Sequence, residues 1–117
     1  MKLGEIAKML KLTELTPEIG ISKIPEITKG YASDLLSDVL ANAQAGGIVV
    51  TLQVHMNIIA TAVHAGLEAV IFSSGRIPEE SVSKKAIEEG IALYVSQEST
   101  FDIVGQLYAL GLRGDSR

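Results

Sequence analysis

The stretch IVVTLQVHMNIIATAVHAGLEAVIFSS, residues 48–74, contains an apolar run, an amphipathic run and a second apolar run. Ile48–Leu52 and Ala69–Phe72 are short and apolar, as strands buried on both faces are. Between them, Val54–Ala65 has the spacing of a helix, which Gly66 can end in a left-handed conformation. The stretch therefore predicts a strand–helix–strand unit with parallel strands and a right-handed crossover.

The same alternation continues on both sides of this unit. Before it, the sequence predicts a β-like segment, a strand and a helix, at Ile19–Ile24, Ile27–Ser33 and Asp34–Ala43, with Ser33 as the helix N-cap. After it, the sequence predicts a helix from Pro78 to Gly90, a strand at Ile91–Val95, and a helix that opens at Ser99–Asp102 and ends at Gly111. We therefore predict an α/β fold, a two-layer or three-layer sandwich with a mainly parallel sheet built from β-α-β-α-β-α.

The first residues form a separate helical extension, Met1–Pro17. Leu3, Ile6, Ala7 and Leu10 follow the i, i+3, i+4, i+7 spacing of an amphipathic helix. The pattern leaves open whether this helix packs on its own sheet or on a second subunit. Together with the α/β part, it makes one domain of 117 residues.

Composition excludes several classes of function. The net charge is −4, aromatic content is 4%, and no basic cluster exceeds Lys84-Lys85, so nucleic-acid binding is not expected. No apolar run approaches the ~20 residues of a membrane span, and Glu5, Lys8 and Lys11 interrupt the first apolar pattern. We therefore expect a cytoplasmic protein without a membrane segment. The absence of cysteine excludes disulfides and thiolate-bound metals.

The hydrophobic share of 47% is high for a short chain. A surface patch used for self-association would explain it, and so would a very well-filled core. We expect a homodimer and keep the second interpretation beside it.

Polar side chains follow both strands of the central unit. Because the carboxyl ends of parallel strands meet at one edge of a sheet, ligands bind in the crevice outside that edge. The predicted ligand-binding residues are Gln53, His55, Asn57, Ser73, Ser74, Gly75 and Arg76. Arg76 carries donors suited to a phosphate or carboxylate, so we predict a small anionic or nucleotide ligand. The alternative for Arg76 is an ion pair with Glu79 or Glu80.

The other titratable residues favour no catalytic or metal centre. His55 and His64 are nine residues apart, so on a regular helix they project to opposite sides and cannot share a metal. His64 is interpreted as a surface residue. His55 is either a site residue or a half-buried histidine bonded to a loop carbonyl. Asp34 and Asp38 are interpreted as a solvated helix face, and neither a cofactor nor a metal ligand is predicted.

Four stretches resemble the DRTGG domain, over roughly Ile24–Gly114. They are Tyr31–Val39, Thr51–Asn57, Ser74–Pro78 and Ser99–Asp102 with its continuation to Gly111. With its first helix, the chain is also similar to the N-terminal domain of HPr kinase/phosphorylase. The Asp-Arg and Thr-Gly-Gly letters of the family would fall near Val54-His55 and Ser73–Gly75, where only the final glycine is present.

The resemblance implies a regulatory module that dimerises or senses ligands beside a partner enzyme. It favours a non-enzymatic regulatory domain over the alternative, a small enzyme in which His55 acts as acid–base and Arg76 holds an anionic substrate.

Overall fold

The structure is a computed structural model that describes residues 1–20 and 24–114. Its helices, α1 to α5, are Leu3–Met9, Leu36–Asn42, Asn57–Ala65, Glu80–Glu89 and Thr100–Ala109. Its strands, β1 to β5, are Thr13–Glu14, Gly30–Ala32, Ile48–Thr51, Ala69–Phe72 and Ala92–Val95. The predicted β-like segment at Ile19–Ile24 falls in part on residues 21–23, outside the described residues.

The strands form one sheet in the order β1-β5-β4-β3-β2. The four strands from β2 to β5 are parallel neighbours, with Val49 opposite Val70 and Val70 opposite Leu93. Only β1 runs antiparallel, with Thr13 opposite Val95. The predicted α/β fold with a mainly parallel sheet is confirmed. The sequence pattern did not predict β1, because both of its residues are exposed and its pairing is set by β5.

The domain has three layers, because both faces of the sheet are covered by helices. Residues of β3, β4 and β5 alternate between two buried clusters, as side chains along a strand must. Ile48, Ile71 and Tyr94 face α1 and α5, whereas Val49 and Phe72 face α2, α3 and α4. Of the two predicted alternatives, the three-layer sandwich is therefore correct.

The N-terminal helix packs on the sheet of its own chain. Leu3 and Ile6 are fully buried in the same cluster as Ile103 and Leu107 of α5. The amino group of Met1 donates a hydrogen bond to the Ile27 carbonyl at a distance of 3.0 Å. The alternative that this helix packs on a second subunit is therefore wrong.

Helix α2 begins at Leu36, two residues later than predicted. The Asp34 carboxylate accepts hydrogen bonds from the Thr51 hydroxyl (3.1 Å) and the Leu52 backbone N–H (2.7 Å). These bonds hold Asp34 against the end of β3, so it cannot join the helix. Ser33 accepts the Leu35 N–H at 3.1 Å, but the N-cap residue of α2 is Leu35, so the predicted N-cap at Ser33 is wrong.

Helix α3 begins at Asn57 rather than Val54. The Thr51 hydroxyl accepts the Gln53 N–H at 3.0 Å, which turns the chain before the helix starts. The predicted helix ends are confirmed at Gly66 and Gly90, both left-handed. The Ser99 hydroxyl caps α5 by accepting the Asp102 N–H at 3.2 Å.

Within residues 1–20 and 24–114, no helix combines the length and the hydropathy needed to cross a membrane.

Candidate functional site

His55 caps the helix that follows β3. Its Nδ1 accepts the backbone N–H of Asn57 at 3.1 Å, and the side chain is exposed. The interpretation of His55 as a half-buried histidine bonded to a loop carbonyl is therefore wrong. In the neutral ring the proton lies on the opposite nitrogen, Nε2, which is left to point toward solvent or a ligand as a donor.

Gln53 and His55 line a surface cavity of about 350 Å³ beside the carboxyl end of β3. Its other walls come from the start of α3 and from the segment that leads into α4. The remaining lining residues are Val54, Met56, Ile77, Glu79, Ser81 and Val82. The cavity thus has both polar and apolar side chains in its lining.

Asn57 lies apart from this cavity. It lines two further surface cavities, one between α3 and α4 and one between α2 and α3, and His64 lines both of them. His64 is exposed, as predicted. Asn57 therefore shares a surface with His64 rather than with His55.

The loop after β4 is joined to the loop after β5 by hydrogen bonds. The Ser74 N–H donates to the Glu98 carbonyl and the Gly75 N–H donates to the Ser96 carbonyl, each at an N···O distance of 2.7 Å. Gly75 has a φ of 68°, and a Cβ built on it would lie 2.7 Å from Oε1 of Gln97. The left-handed backbone angle therefore favours glycine at this position, and the Gln97 side chain lies against it.

Ser73 is fully buried beneath this junction. Its hydroxyl lies 2.6 Å from the Thr100 hydroxyl, the first residue of α5. The pair joins the end of β4 to the start of α5, so Ser73 has a structural partner and is not open to the cavity beside His55.

Arg76 is exposed at the end of the same loop. Within the described part of the chain, its guanidinium makes no hydrogen bond or ion pair. Glu80, one of its expected partners, lies 3.5 Å from Lys84 instead. The structure therefore does not form the predicted alternative in which Arg76 is neutralised on its own helix.

The helices that follow β4 and β5 pack on opposite faces of the sheet. Helix α4, after β4, packs on one face through Val82 and Ala86, and α5, after β5, packs on the other through Ile103 and Leu107. Such a change of side opens a crevice at the carboxyl ends of the strands. Here the hydrogen-bonded loops after β4 and β5 close this crevice. The open cavity lies beside the neighbouring strand, β3.

The carboxylates near the end of β2 have structural partners. Asp34 is held by Thr51 and Leu52, and the Asp38 carboxylate accepts the Tyr31 hydroxyl and the Asn42 amide, each at 2.8 Å. The interpretation of this pair as a solvated helix face is wrong for Asp34, which lies outside the helix. Sequence spacing could not find the partner of Asp34, because Thr51 is 17 residues away.

Sequence reasoning also missed Glu79 and Ser81, which line the cavity with His55. The signal available was their position at the start of α4, since helices that follow parallel strands begin at the same edge of the sheet. In the described residues, no three histidine, aspartate or glutamate side chains are grouped to hold a metal ion.

The fold defined by these layers is shared with a protein of known structure. No protein-family model matches the sequence, and no characterised protein matches it significantly. A structural match with a TM-score of 0.74 and 13% identity is the crystal structure of the CBS and DRTGG domains of the regulatory region of Clostridium perfringens pyrophosphatase, complexed with the activator diadenosine tetraphosphate. The match covers 98% of this chain and 51% of that one.

The predicted resemblance to DRTGG domains is thus confirmed at the level of the fold. The chain spans about half the length of the clostridial regulatory region. The similarity to HPr kinase/phosphorylase stays a prediction.

Proposed function

We propose that this chain is a non-enzymatic, ligand-sensing regulatory domain that forms a homodimer. Its ligand is a small anion or a nucleotide, bound outside the carboxyl ends of the parallel strands. The observation that carries the proposal is the cavity lined by Gln53 and His55. At the next strand end lies the Arg76 guanidinium, which has no partner among residues 1–20 and 24–114. The proposed site also includes Ser74 and Gly75, in the loop that carries Arg76, whereas Asn57 and the buried Ser73 lie outside it.

The chemistry of the cavity favours a ligand with a flat or apolar part and hydrogen-bonding edges. Val54, Ile77 and Val82 supply apolar lining, and Gln53 supplies both a donor and an acceptor. Glu79 also lines the cavity, and its carboxylate disfavours an anion placed against it. The anionic part of the ligand therefore belongs toward Arg76, which offers a planar fork of donors.

The position of His55 supports a binding role over catalysis. A general base must present a lone pair to its substrate, whereas Nδ1 already accepts the Asn57 N–H. For Nε2 to offer a lone pair, its proton would have to move to Nδ1. A proton on Nδ1 would break the hydrogen bond that Nδ1 accepts from Asn57. The enzyme alternative therefore requires the site to give up its own helix start.

The structural match supports the regulatory part of the proposal, because the clostridial chain is the regulatory region of an enzyme and is complexed with a nucleotide activator. By analogy of fold, we propose that this domain acts on a partner enzyme in the cytoplasm.

Ligand stabilisation tests the proposed site. Thermal unfolding would be measured with diadenosine tetraphosphate, ATP, AMP and inorganic phosphate as separate probes. Saturation at about a hundred times the dissociation constant stabilises a fold by about 2.7 kcal/mol, so a binding probe gives a clear shift. We expect Arg76→Ala and Gln53→Ala to remove the shift, and Lys84→Ala, an exposed cation on α4, to keep it. No shift with any probe would contradict the ligand-sensing proposal.

A turnover assay on the same probes tests the enzyme alternative. We expect no hydrolysis above the rate of an empty preparation. Hydrolysis that disappears in His55→Asn would establish the enzyme alternative in place of the regulatory one.

A further inference from the structure

The outer face of α5 is apolar and exposed, with Arg113 lying over its Tyr108 ring. Phe101, Val104, Gly105 and Tyr108 lie at i, i+3, i+4 and i+7 and so share one side of the helix. Phe101 is 86% exposed, Val104 37% and Tyr108 59%. The sheet-facing side of α5 is instead formed by Ile103 and Leu107. We call the four residues the α5 stripe.

A groove continues the α5 stripe onto the sheet. It has a volume of about 200 Å³ and lies between α5 and β2, with Ala32, Val104 and Tyr108 among its lining residues. It exists because only α1 and α5 cover this face, whereas three helices cover the other. The last strand of the sheet, β2, is thus left beside an open position in the helical layer.

Among the described residues of one copy, nothing requires a glycine at position 105. It lies in the interior of α5, where glycine weakens a helix, and a Cβ built on it meets nothing within 4 Å. Neither close packing nor an unusual backbone angle requires glycine there. A second helix lying against the α5 stripe would use the space.

We propose that the α5 stripe is the interface of the homodimer, with α5 of a second copy lying antiparallel across it; the inference rests on the proposed function and specifies its assembly surface. An antiparallel pair centred between Val104 and Gly105 is self-complementary. Val104 of each copy faces Gly105 of the other, and Phe101 faces Tyr108. The valine side chain fills the space above the glycine, and the two rings pack together.

Charge at the ends of the stripe fits the same arrangement. Asp102 is exposed in the first turn of α5, and Arg113, beyond its end, lies over the Tyr108 ring at 3.7 Å. In an antiparallel pair the start of one helix meets the end of the other. Asp102 of each copy therefore approaches Arg113 of the second, whereas a parallel pair would bring like charges together.

A stable dimer must bury more surface area than the two aromatic rings supply. A buried aromatic side chain contributes about 150–250 Å², so Phe101 and Tyr108 at their exposures supply roughly a third of the ~800 Å² per partner of a standard interface. The groove and Ala32 must supply the rest. The exposed apolar side chains on α2 and α3, Leu40 and Val63, adjoin the polar residues Asn57, Thr61 and His64 and lack such a complementary pattern.

Mass measurements separate this inference from the proposed function. Sedimentation velocity would be run over a range of concentrations on the wild type, on Gly105→Gln, and on the control Ala41→Gln, an exposed position on α2. The new glutamine at position 105 enters open space in one copy but collides with Val104 of the other. We expect the wild type and the control to be dimers, and Gly105→Gln to raise the dissociation constant by about tenfold or more, the loss of 1.4 kcal/mol or more.

A cysteine cross-link gives an independent readout. Because the chain has no cysteine, a single Gly105→Cys variant can form a disulfide only with a second copy, and only when the two positions lie close to the two-fold axis. We expect oxidation to yield covalent dimers of Gly105→Cys and not of Ala41→Cys. A monomeric wild type would overturn both the homodimer of the proposed function and this interface. A wild-type dimer that persists in Gly105→Gln, or cross-links at Ala41 instead, would overturn this interface alone.

Discussion

The Ser73 hydroxyl lies 2.6 Å from the Thr100 hydroxyl, although 27 positions separate the two residues. This bond joins the end of β4 to the first residue of α5 beneath the two loops that meet at Ser74 and Glu98. The strand end and the helix start therefore form one connected unit at the edge of the sheet where a ligand is expected.

Removing both partners of this pair should cost less than the two single removals added together. Thr100→Val leaves the buried Ser73 hydroxyl without its partner, at a cost of about 1–3 kcal/mol in the free energy of unfolding. In the double variant Ser73→Ala/Thr100→Val no hydroxyl is stranded, so its cost should be smaller than the sum of the single costs. Urea unfolding of the four proteins measures the coupling, and strictly additive costs would contradict the hydrogen bond.

His55 should contribute to stability through its cap as well as to binding. His55→Ala removes the acceptor of the Asn57 N–H and should cost about 1 kcal/mol, the usual worth of an N-cap. His55→Asn supplies a side-chain oxygen at the same place and should retain most of that stability. If both variants lose equal stability, the cap at Nδ1 is not what stabilises the start of α3.

Asp38 should titrate below the usual range of an aspartate. Hydrogen bonds from the Asn42 amide and the Tyr31 hydroxyl hold the pKa of Asp38 below its ordinary value of 3.8. Its contribution to stability is therefore present above pH 3.8 and is lost as pH falls through the lower pKa of the folded state. Carboxyl NMR titration should show this low midpoint, and Asn42→Ala should raise it. A midpoint that Asn42→Ala leaves unchanged would count against the assigned cause.

Tyr94 is a core residue whose hydroxyl has no hydrogen-bond partner in the part of the chain that the structure describes. Tyr94→Phe should therefore raise the free energy of unfolding by about 1 kcal/mol. Tyr31→Phe is the matched control; it should lower stability, because the Tyr31 hydroxyl donates to Asp38. Denaturant unfolding of both variants at neutral pH compares the two effects, and a less stable Tyr94→Phe would reveal a partner for the hydroxyl.

The same tyrosine predicts a loss of stability at high pH. Burial and then the Glu14 carboxylate raise the pKa of Tyr94 to about 12, from the ordinary 10.0. Between these values the unfolded chain releases the proton first, so stability falls as pH rises from 10 toward 12. The fall should be steeper in the wild type than in Tyr94→Phe.

Gly105→Ala should have opposite effects on the helix and on the dimer. Alanine favours a helix interior over glycine by about 0.8–1.0 kcal/mol, and its Cβ meets no atom within 4 Å in one copy. At dilutions where the chain is monomeric, thermal unfolding should therefore shift upward. The same substitution should weaken the dimer, because it adds a methyl group where Val104 of the second copy packs.

The strands could be predicted from the sequence wherever burial on both faces left a continuous apolar run. Ile48–Thr51 and Ala69–Phe72 are of this kind, and all of their residues are buried. β1 could not be predicted, since two exposed residues carry no pattern. The start of α2 was misplaced because Asp34 binds Thr51 across a distance in sequence that no local spacing reveals.

For the site, the sequence indicated which loops end at the same edge of the sheet. It could not indicate which side chains face outward there. Ser73 and Arg76 differ by three positions, yet one is fully buried against Thr100 and the other is exposed. The distinction depends on the loop after β5, which closes over Ser73 and leaves Arg76 outside.

The two margins of the sheet limit how copies of this chain can associate. An exposed strand edge can accept a strand from another molecule. Here β1 has only two residues, and the backbone of Arg113 occupies the outer side of the segment around Gly30, with hydrogen bonds of 3.0 and 3.1 Å to Gly30 and Thr28. Extension of the sheet from one molecule into the next is therefore disfavoured at both margins, and the chain is protected from the open-ended stacking to which parallel sheets are prone.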